Sequence, residues 1–256
     1  MARCLLINPS IDVYGAKWPP LGLLYLASAL REAGHEVLVH DLSLPTSAYK
    51  TDEYRDIDLV GITCSTPNFR RVRDLVTRCR ELYQRATIIL GGPHISTVPR
   101  DASVLGADIG VIGDGEGVIV RIAGEISSKK PVIIQSIYHG SNSGYSLDIE
   151  ALPPPARDLV PMDQYTAVEF GNRSTSVITQ RGCPFECGFC SHWEGYRKVR
   201  RVPIPKLHDE FADIRELGFK SLSIMDDEVN LNNDRLSDLC AAIDQYGFSY
   251  RCHVRA

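Results

Sequence analysis

Three cysteines fall within eight residues in the second half of the chain: Cys183, Cys187 and Cys190. Thiolate sulfurs bind zinc and iron–sulfur clusters, and three of them on one short loop can hold three irons of a four-iron cluster. The fourth iron then lacks a protein ligand, which leaves the open metal position that chemistry requires. A structural zinc site completed by His192 or a distant cysteine is the alternative that this spacing leaves open.

The residues around these cysteines favour a cluster over zinc. Arg181-Gly182 leads into the loop from a predicted strand, and the aromatic Phe189 precedes the last cysteine. Read as Arg-Gly-Cys-x-x-x-Cys-x-x-Cys, the segment resembles the radical S-adenosylmethionine (SAM) superfamily. The resemblance implies that the three cysteines ligate a 4Fe–4S cluster and that SAM chelates the open iron. One-electron reduction would then cleave SAM into methionine and a 5′-deoxyadenosyl radical.

Acidic residues follow a later strand of the same region at Asp226 and Asp227. Radical SAM enzymes usually place polar contacts to the methionine part of SAM at this point, so the resemblance implies that both aspartates bind SAM. The alternative is an ordinary acidic patch at a helix N-terminus.

The elements that must position these residues form two series. Over the first 130 residues, short β-branched runs alternate with segments of helical period. The predicted strands are Cys4–Asn8, Glu36–His40, Leu59–Thr63, Thr87–Leu90 and Ile109–Ile112. This alternation predicts an α/β domain whose parallel sheet is covered on both faces. Such sheets bind ligands at the carboxyl ends of their strands, so the small and polar residues that follow the strands are candidate contacts.

A linker is predicted over residues 131–172, which lack a steady period and include Ser-Asn-Ser-Gly at 141–144. The second series occupies residues 173–256. Its predicted strands are Thr175–Gln180, Ser221–Met225 and Ser249–Val254. A barrel needs more strands than these three, so we expect only the first part of a (βα) barrel in an apparently truncated chain.

Composition restricts the partners and the compartment. The net charge of −4 gives no reason to expect nucleic-acid or acidic-membrane binding, and no apolar stretch approaches the length of a membrane span. The chain starts with a predicted strand instead of a secretory signal. Clustered cysteines without an export signal indicate metal binding in a reducing compartment, and therefore the cytoplasm.

Several motifs of the first series carry a more specific resemblance. They are Leu-Ile-Asn-Pro at 6–9, Pro-Pro-Leu-Gly-Leu-Leu-Tyr-Leu-Ala at 19–27, Gly-His-Glu-Val at 34–37, Gly-Gly-Pro-His at 91–94 and Gly-Asp-Gly-Glu at 113–116. Together with the cysteine motif, they resemble the cobalamin-dependent radical SAM family over nearly the whole chain. The resemblance implies that residues 1–130 form a Rossmann-like domain that holds cobalamin. It implies cobalamin contacts, each of which has a turn or cap residue as its alternative, at Ser65, Thr66, Gly91, Gly92, Gly113, Gly115 and Glu116.

No Asp-x-His-x-x-Gly motif occurs in the sequence. Cobalamin proteins that coordinate cobalt from below through histidine use that motif, so we expect cobalamin without a lower histidine ligand. His94 is the nearby histidine that could contradict this, and we interpret it as a loop residue that forms hydrogen bonds. The glycines at 113, 115 and 117 follow the fifth strand, where a dinucleotide fingerprint does not belong.

The resemblance implies a methyltransferase that acts on an unreactive carbon or phosphorus centre through methylcobalamin and a 5′-deoxyadenosyl radical. It implies a small-molecule or peptide substrate and a reductant of the flavodoxin or ferredoxin type, and it assigns no catalytic residue. A cyclase or rearrangement enzyme of the same superfamily is one alternative. Another is a methylthiotransferase with a second cluster on Cys4, Cys64 and Cys79, although these are most simply small buried hydrophobes. A non-catalytic cobalamin-binding module is the last alternative.

Overall fold

The computed structural model describes residues 1–9, 15–45, 54–130, 137–140, 148–190 and 194–255. His192 and the Ser-Asn-Ser-Gly segment of the predicted linker lie outside the described residues. The chain divides into two compact units, which we name the front unit and the rear unit. The front unit contains Met1–Tyr14, Gly22–Leu147 and Pro155–Val160, and the rear unit contains Gly15–Leu21, Asp148–Pro154 and Pro161–Ala256.

The described part of the front unit contains a six-stranded sheet in which every neighbouring pair is parallel. Its strands are β1 (Arg3–Asn8), β2 (Glu36–Asp41), β3 (Leu59–Thr63), β4 (Thr87–Gly91), β5 (Ile109–Ile112) and β6 (Ile137–His139). The helices between them are α1 (Leu21–Glu32), α2 (Phe69–Leu82), α3 (Pro93–Thr97), α4 (Asp101–Val104) and α5 (Glu116–Ser127). The five predicted strands are confirmed, and β6 is an addition from the region expected to be linker.

Successive side chains of each strand point to opposite sides of the sheet. Both faces are buried because helices cover both sides. On β1, Cys4 and Leu6 join the core with α1 and α5, whereas Leu5 and Ile7 join the core with α2. Val72 and Cys79 lie on the buried side of α2, as the helical period predicts. The strands are therefore continuously apolar and leave little room for polar groups except at their ends.

The strand order β2-β1-β3-β4-β5-β6 reverses direction between β1 and β3. At such a switch point, the loops that leave the two central strands diverge and open a crevice at the carboxyl edge of the sheet. The segments that follow β3, β4 and β5 lie at this edge, which we call the carboxyl edge of the front unit. They contain most of the residues that the sequence marked as ligand contacts.

The described part of the rear unit contains a four-stranded sheet in the order β12-β11-β8-β7 and a separate antiparallel pair, β9 with β10. Its strands are β7 (Val168–Glu169), β8 (Asn172–Val177), β9 (Gln180–Arg181), β10 (Arg200–Arg201), β11 (Ser221–Ile224) and β12 (Ser249–Arg251). Its helices are α6 (Ile204–Glu216) and α7 (Asn233–Gln245). Strands β8, β11 and β12 are parallel, and α6 and α7 connect them as expected for the first units of a (βα) barrel.

One predicted strand of the rear unit is divided in two. Thr175–Gln180 was expected to be continuous, but β8 ends at Val177 and β9 begins at Gln180. The backbone N–H groups of Thr179 and Gln180 donate to the Asp226 carboxylate at 2.7 and 3.1 Å instead of to a neighbouring strand. With this exception, the predicted α/β fold class is confirmed. No helix in the described residues is long and apolar enough to cross a membrane.

Candidate cofactor sites

The loop after β3 carries two of the expected cobalamin contacts. It is fixed to the next strand because Cys64 N–H donates to the Gly91 carbonyl at 2.8 Å. Ser65 N–H donates to the Asn68 side chain at 2.8 Å, and the Ser65 side chain faces the Asn68 backbone N–H in return, which forms a capping box. Ser65 Oγ is buried, whereas Thr66 is exposed on the same loop. Ser65 thus has a capping role here, and its contact with cobalamin stays a prediction.

The two glycines at the end of β4 differ in how much space a side chain would have. A methyl group at Gly91 would find nothing closer than 3.9 Å, so the backbone there is accessible. Gly92 has φ of 94°, and a methyl group on it would lie 2.7 Å from Thr63 Oγ1 and 2.9 Å from the Cys64 carbonyl. Gly92 is therefore required by the turn itself, whereas Gly91 leaves space for a ligand.

The segment after β5 is joined to the β4 segment by a serine that the sequence did not mark. Ser96 Oγ donates to the Gly92 carbonyl and accepts from Gly113 N–H, each at 3.0 Å. Gly113 has φ of 75°, and a methyl group on Gly115 would lie 3.2 Å from Leu26 Cδ2 of α1. Glu116 is buried as the first residue of α5. These glycines have packing roles, so their contact with cobalamin stays a prediction.

His94 lies in a row with two other side chains at the same edge. Its Nδ1 is 3.0 Å from Thr66 Oγ1, and its Nε2 is 3.0 Å from Asp101 Oδ2. Both ring nitrogens are thus engaged within the protein, as expected of a hydrogen-bonding residue, although His94 lies in α3 and not in a loop. Asp101 was not marked by the sequence, because nothing in its spacing links it to His94.

The cysteine loop of the rear unit is held at its two ends. Cys183 N–H donates to the Tyr196 carbonyl at 3.1 Å, and Cys190 N–H donates to the Cys187 carbonyl at 2.9 Å. Gly182 has φ of 98°, and a methyl group on it would lie 2.4 Å from the Lys198 carbonyl. Cys183 and Cys187 are half-buried, Cys190 is exposed, and all three are free thiols.

These three thiols are accessible, but the structure does not bring them together at one point. Within the described ranges, no three His, Cys, Asp or Glu side chains come together as a ready metal site. The donor set fits an iron–sulfur cluster nevertheless, since three free thiols on one accessible loop are what such a cluster takes from a protein. Their role as ligands stays a prediction.

A cation that the sequence did not mark lies beside the cysteine loop. The Arg255 guanidinium stacks 4.1 Å from the centroid of the Phe185 ring, and its Nη1 is 3.8 Å from Cys187 Sγ. Its backbone N–H donates to Glu228 Oε1 at 2.7 Å. Arg255 thus places a positively charged group beside one of the three sulfurs.

Of the two aspartates expected to bind SAM, Asp226 already has partners for both oxygens. Besides the backbone of Thr179 and Gln180, it accepts from Thr179 Oγ1 at 2.5 Å. Burial raises the pKa of its carboxyl group, and these hydrogen bonds oppose the shift. Asp227 is half-buried beside it. SAM contact therefore stays a prediction for both, and the structure gives Asp226 a role in shaping the entry to the cysteine loop.

The three cysteines of the front unit do not form a second donor set. Cys4 is buried on the face of the sheet that packs against α1 and α5, whereas Cys64 and Cys79 are buried on the opposite face. Burial raises the pKa of each thiol. This arrangement disfavours the methylthiotransferase alternative, which needs three accessible thiols on one side.

The B12 binding domain family matches residues 8–123 of the chain, which contain strands β2 to β5 of the parallel sheet and the last residue of β1. An uncharacterized methyltransferase of Pyrococcus horikoshii is 30% identical over 96% of this chain and 58% of its own length. An anaerobic magnesium-protoporphyrin IX monomethyl ester cyclase of Cereibacter sphaeroides is 26% identical over 93% of this chain and 43% of its own.

Among solved structures, the chain is similar to the radical SAM methyltransferase TsrM of Kitasatospora setae with cobalamin and a 4Fe–4S cluster bound. The TM-score is 0.72 at 22% identity, over 94% of this chain and 52% of TsrM. The chain thus spans about half the length of these proteins.

Residues 8–123 are thus similar in fold and in sequence to a B12 binding domain. The matches that extend over the rear unit are to a methyltransferase and, in fold, to a radical SAM methyltransferase with cobalamin bound, as the resemblance expects.

Proposed function

We propose that this chain is part of a cobalamin-dependent radical SAM methyltransferase that acts on an unreactive carbon or phosphorus centre of a small molecule or peptide. The observation that carries the proposal is the succession of a B12 binding domain and a loop with three free, accessible thiols. When bound, the cluster and SAM supply a radical, and cobalamin carries the methyl group. The reaction belongs to the cytoplasm and needs a reductant of the flavodoxin or ferredoxin type.

The residues of the front unit have distinct tasks in this proposal. Gly91 lets the backbone approach the corrin closely, and Ser65 and the exposed Thr66 contact it from the same edge. Gly92, Gly113 and Gly115 keep the loops in the conformation that leaves this edge open. In this proposal, residues 1–130 form most of the cobalamin domain, which β6 (Ile137–His139) extends, and residues 173–256 form the radical SAM portion. The segment 131–172, expected to be a linker, supplies β6 and β7 to the two sheets.

In the rear unit, Cys183, Cys187 and Cys190 hold the cluster, and Asp226 and Asp227 contact SAM. Asp226 holds Thr179 and Gln180 at the strand break that precedes the loop. Arg255 supplies positive charge next to Cys187.

The test is anaerobic reconstitution of the chain with iron, sulfide and hydroxocobalamin, followed by metal analysis and electron paramagnetic resonance. We expect about four irons and one cobalt per chain, and a cob(II)alamin spectrum without coupling to a protein nitrogen. Zinc in the cysteine loop, or failure to retain corrinoid, contradicts the proposal. About eight irons would support the methylthiotransferase instead.

A cyclase is the second candidate, because relatives of the chain at 26% identity include anaerobic magnesium-protoporphyrin IX monomethyl ester cyclases. Turnover with SAM labelled in its methyl group separates the two, since a methyltransferase transfers the label to the product and a cyclase does not.

A further inference from the structure

Three polar side chains from two successive connections, β3–β4 and β4–β5, form a row at the carboxyl edge of the front unit. Thr66 comes from the loop after β3, His94 from α3 and Asp101 from the start of α4. Both contacts of the imidazole are 3.0 Å long, and the His94 and Asp101 side chains retain only 11% and 21% of their exposure. Thr66 at the outer end is exposed. The row therefore leads from a half-buried carboxylate to a hydroxyl that a ligand can reach.

The direction of these hydrogen bonds depends on which ring nitrogen of His94 carries the proton. A carboxylate only accepts, so a hydrogen bond to Asp101 Oδ2 places that proton on His94 Nε2. Arg100 Nε lies 4.0 Å from the other carboxylate oxygen. A neutral imidazole has one N–H, so Nδ1 accepts and the Thr66 hydroxyl donates to it. The lone pairs of Thr66 Oγ1 are then left to accept a hydrogen bond from a ligand.

The imidazole is held in this orientation from two further sides. The backbone N–H of His94 donates to the Cys64 carbonyl at 3.0 Å, which ties α3 to the loop that carries Thr66. The Phe69 ring packs edge-on against the imidazole, with 5.0 Å between ring centroids. A fixed ring and a fixed tautomer leave the Thr66 hydroxyl a single orientation, so the acceptor is preorganised.

We propose that His94 and Asp101 are positioning residues that make Thr66 Oγ1 an acceptor for an amide N–H at the edge of the corrin. This inference rests on the proposed cobalamin binding, and it adds that the site presents a hydrogen-bond acceptor to the corrin at Thr66. The corrin periphery carries primary amides, which are both donors and acceptors, and a hydroxyl locked as an acceptor selects their N–H end. His94 acts through Thr66 and not as a ligand of cobalt, because both of its nitrogens are engaged.

The first measurement requires no cofactor. Long-range ¹H–¹⁵N spectra of the full chain labelled at histidine report the tautomer of His94, with Thr66→Val and Asp101→Asn used to assign its signals. We expect the Nε2–H tautomer. An Nδ1–H tautomer would reverse the hydrogen bond to Thr66 and overturn the proposal.

The second measurement is titration of the chain with hydroxocobalamin under reducing, anaerobic conditions. Thr66→Val, which removes the hydroxyl at nearly constant volume, should weaken binding about tenfold, whereas Thr66→Ser should restore it to within about threefold. His94→Leu should resemble Thr66→Val, and His94→Asn should recover most of the affinity because its amide oxygen replaces Nδ1 as acceptor.

His35→Asn is the matched control, since His35 is a buried histidine at the opposite edge of the sheet that accepts from Ala2 N–H at 3.2 Å. It should bind hydroxocobalamin like the wild type. If the wild type binds and Thr66→Val or His94→Leu binds equally well, the proposed role of the Thr66–His94–Asp101 row is wrong while the proposed function stands. If the wild type retains no corrinoid, the proposed function fails and the proposed role of the row fails with it.

Discussion

The Cys4, Cys64 and Cys79 side chains have no exposed surface, and burial raises the pKa of their thiols to about 12, 11 and 12. Only the thiolate binds metal or attacks an electrophile, so these three groups are chemically inert near neutral pH. Cys190 is exposed on its loop. The same residue type thus serves as core packing in the front unit and as an available donor in the rear unit.

We predict that iodoacetamide at pH 8 modifies the cysteines unequally in the native, iron-free chain. A thiol with a pKa near 12 is about one ten-thousandth thiolate at pH 8, while an ordinary thiol is about one quarter thiolate. Mass spectrometry should find Cys190 labelled first and Cys4, Cys64 and Cys79 labelled only after denaturation. Rapid native labelling of all three would restore the methylthiotransferase alternative.

Among the elements, the turn after β4 shows how two adjacent glycines acquire different roles. Gly92 has φ of 94° and is surrounded by Thr63 and Cys64, whereas a methyl group at Gly91, the last residue of β4, would make only ordinary van der Waals contact with Val111 at 3.9 Å. A side chain at Gly92 would therefore disturb the turn, and a side chain at Gly91 would disturb only what approaches the turn from outside.

We predict that Gly92→Ala lowers the free energy of unfolding by at least about 2 kcal/mol, because positive φ and overpacking both disfavour alanine. Gly91→Ala should change it by less than about 1 kcal/mol but weaken corrinoid binding. Urea unfolding and hydroxocobalamin titration of both variants measure the two effects. Equal affinity of Gly91→Ala and the wild type would remove Gly91 from the binding site.

The elements also show where sequence analysis is sufficient. The five strands from β1 to β5 were predictable because burial on both faces requires continuous apolar runs. Strand β6 was missed because it has only three residues, Ile137–His139, too few for a period. The break after Val177 was missed because it depends on Asp226, 47 residues beyond Thr179.

The same limit applies to the candidate site. The cysteine loop and the glycine turns could be recognised from the sequence, because the spacing of neighbouring residues indicates their chemistry. Asp101, Ser96 and Arg255 were missed because each meets its partner only through the tertiary fold. The partners of a functional side chain are therefore harder to predict than the side chain itself.

At the scale of the whole molecule, each compact unit has its own core and its own candidate site. The front unit buries Leu5, Leu6 and Ile7 completely in its sheet. The rear unit buries Phe211 and Phe219 completely beside its strands. The carboxyl edge belongs to the first unit and the cysteine loop to the second. Each site is thus supported by a separate set of packed residues.

We predict that the two cofactors load independently. In the variant Cys183→Ala/Cys187→Ala/Cys190→Ala, iron should fall from about four per chain to nearly zero, since the loop keeps none of its three thiols to hold it. Corrinoid binding should stay within about twofold of the wild type, because the residues of the carboxyl edge keep their own supports. Metal analysis and hydroxocobalamin titration on the same preparation give both values.

Cys240→Ala is the control for this variant, because Cys240 is a half-buried cysteine of the same unit whose Sγ lies 3.2 Å from the Tyr250 hydroxyl, away from the loop. It should keep both iron and corrinoid. If the triple variant lost corrinoid together with iron while its circular dichroism spectrum was unchanged, corrinoid binding would depend on the loaded cluster. The two units would then have to be treated as one cofactor site, and the assignment of cobalamin contacts to the carboxyl edge alone would be wrong.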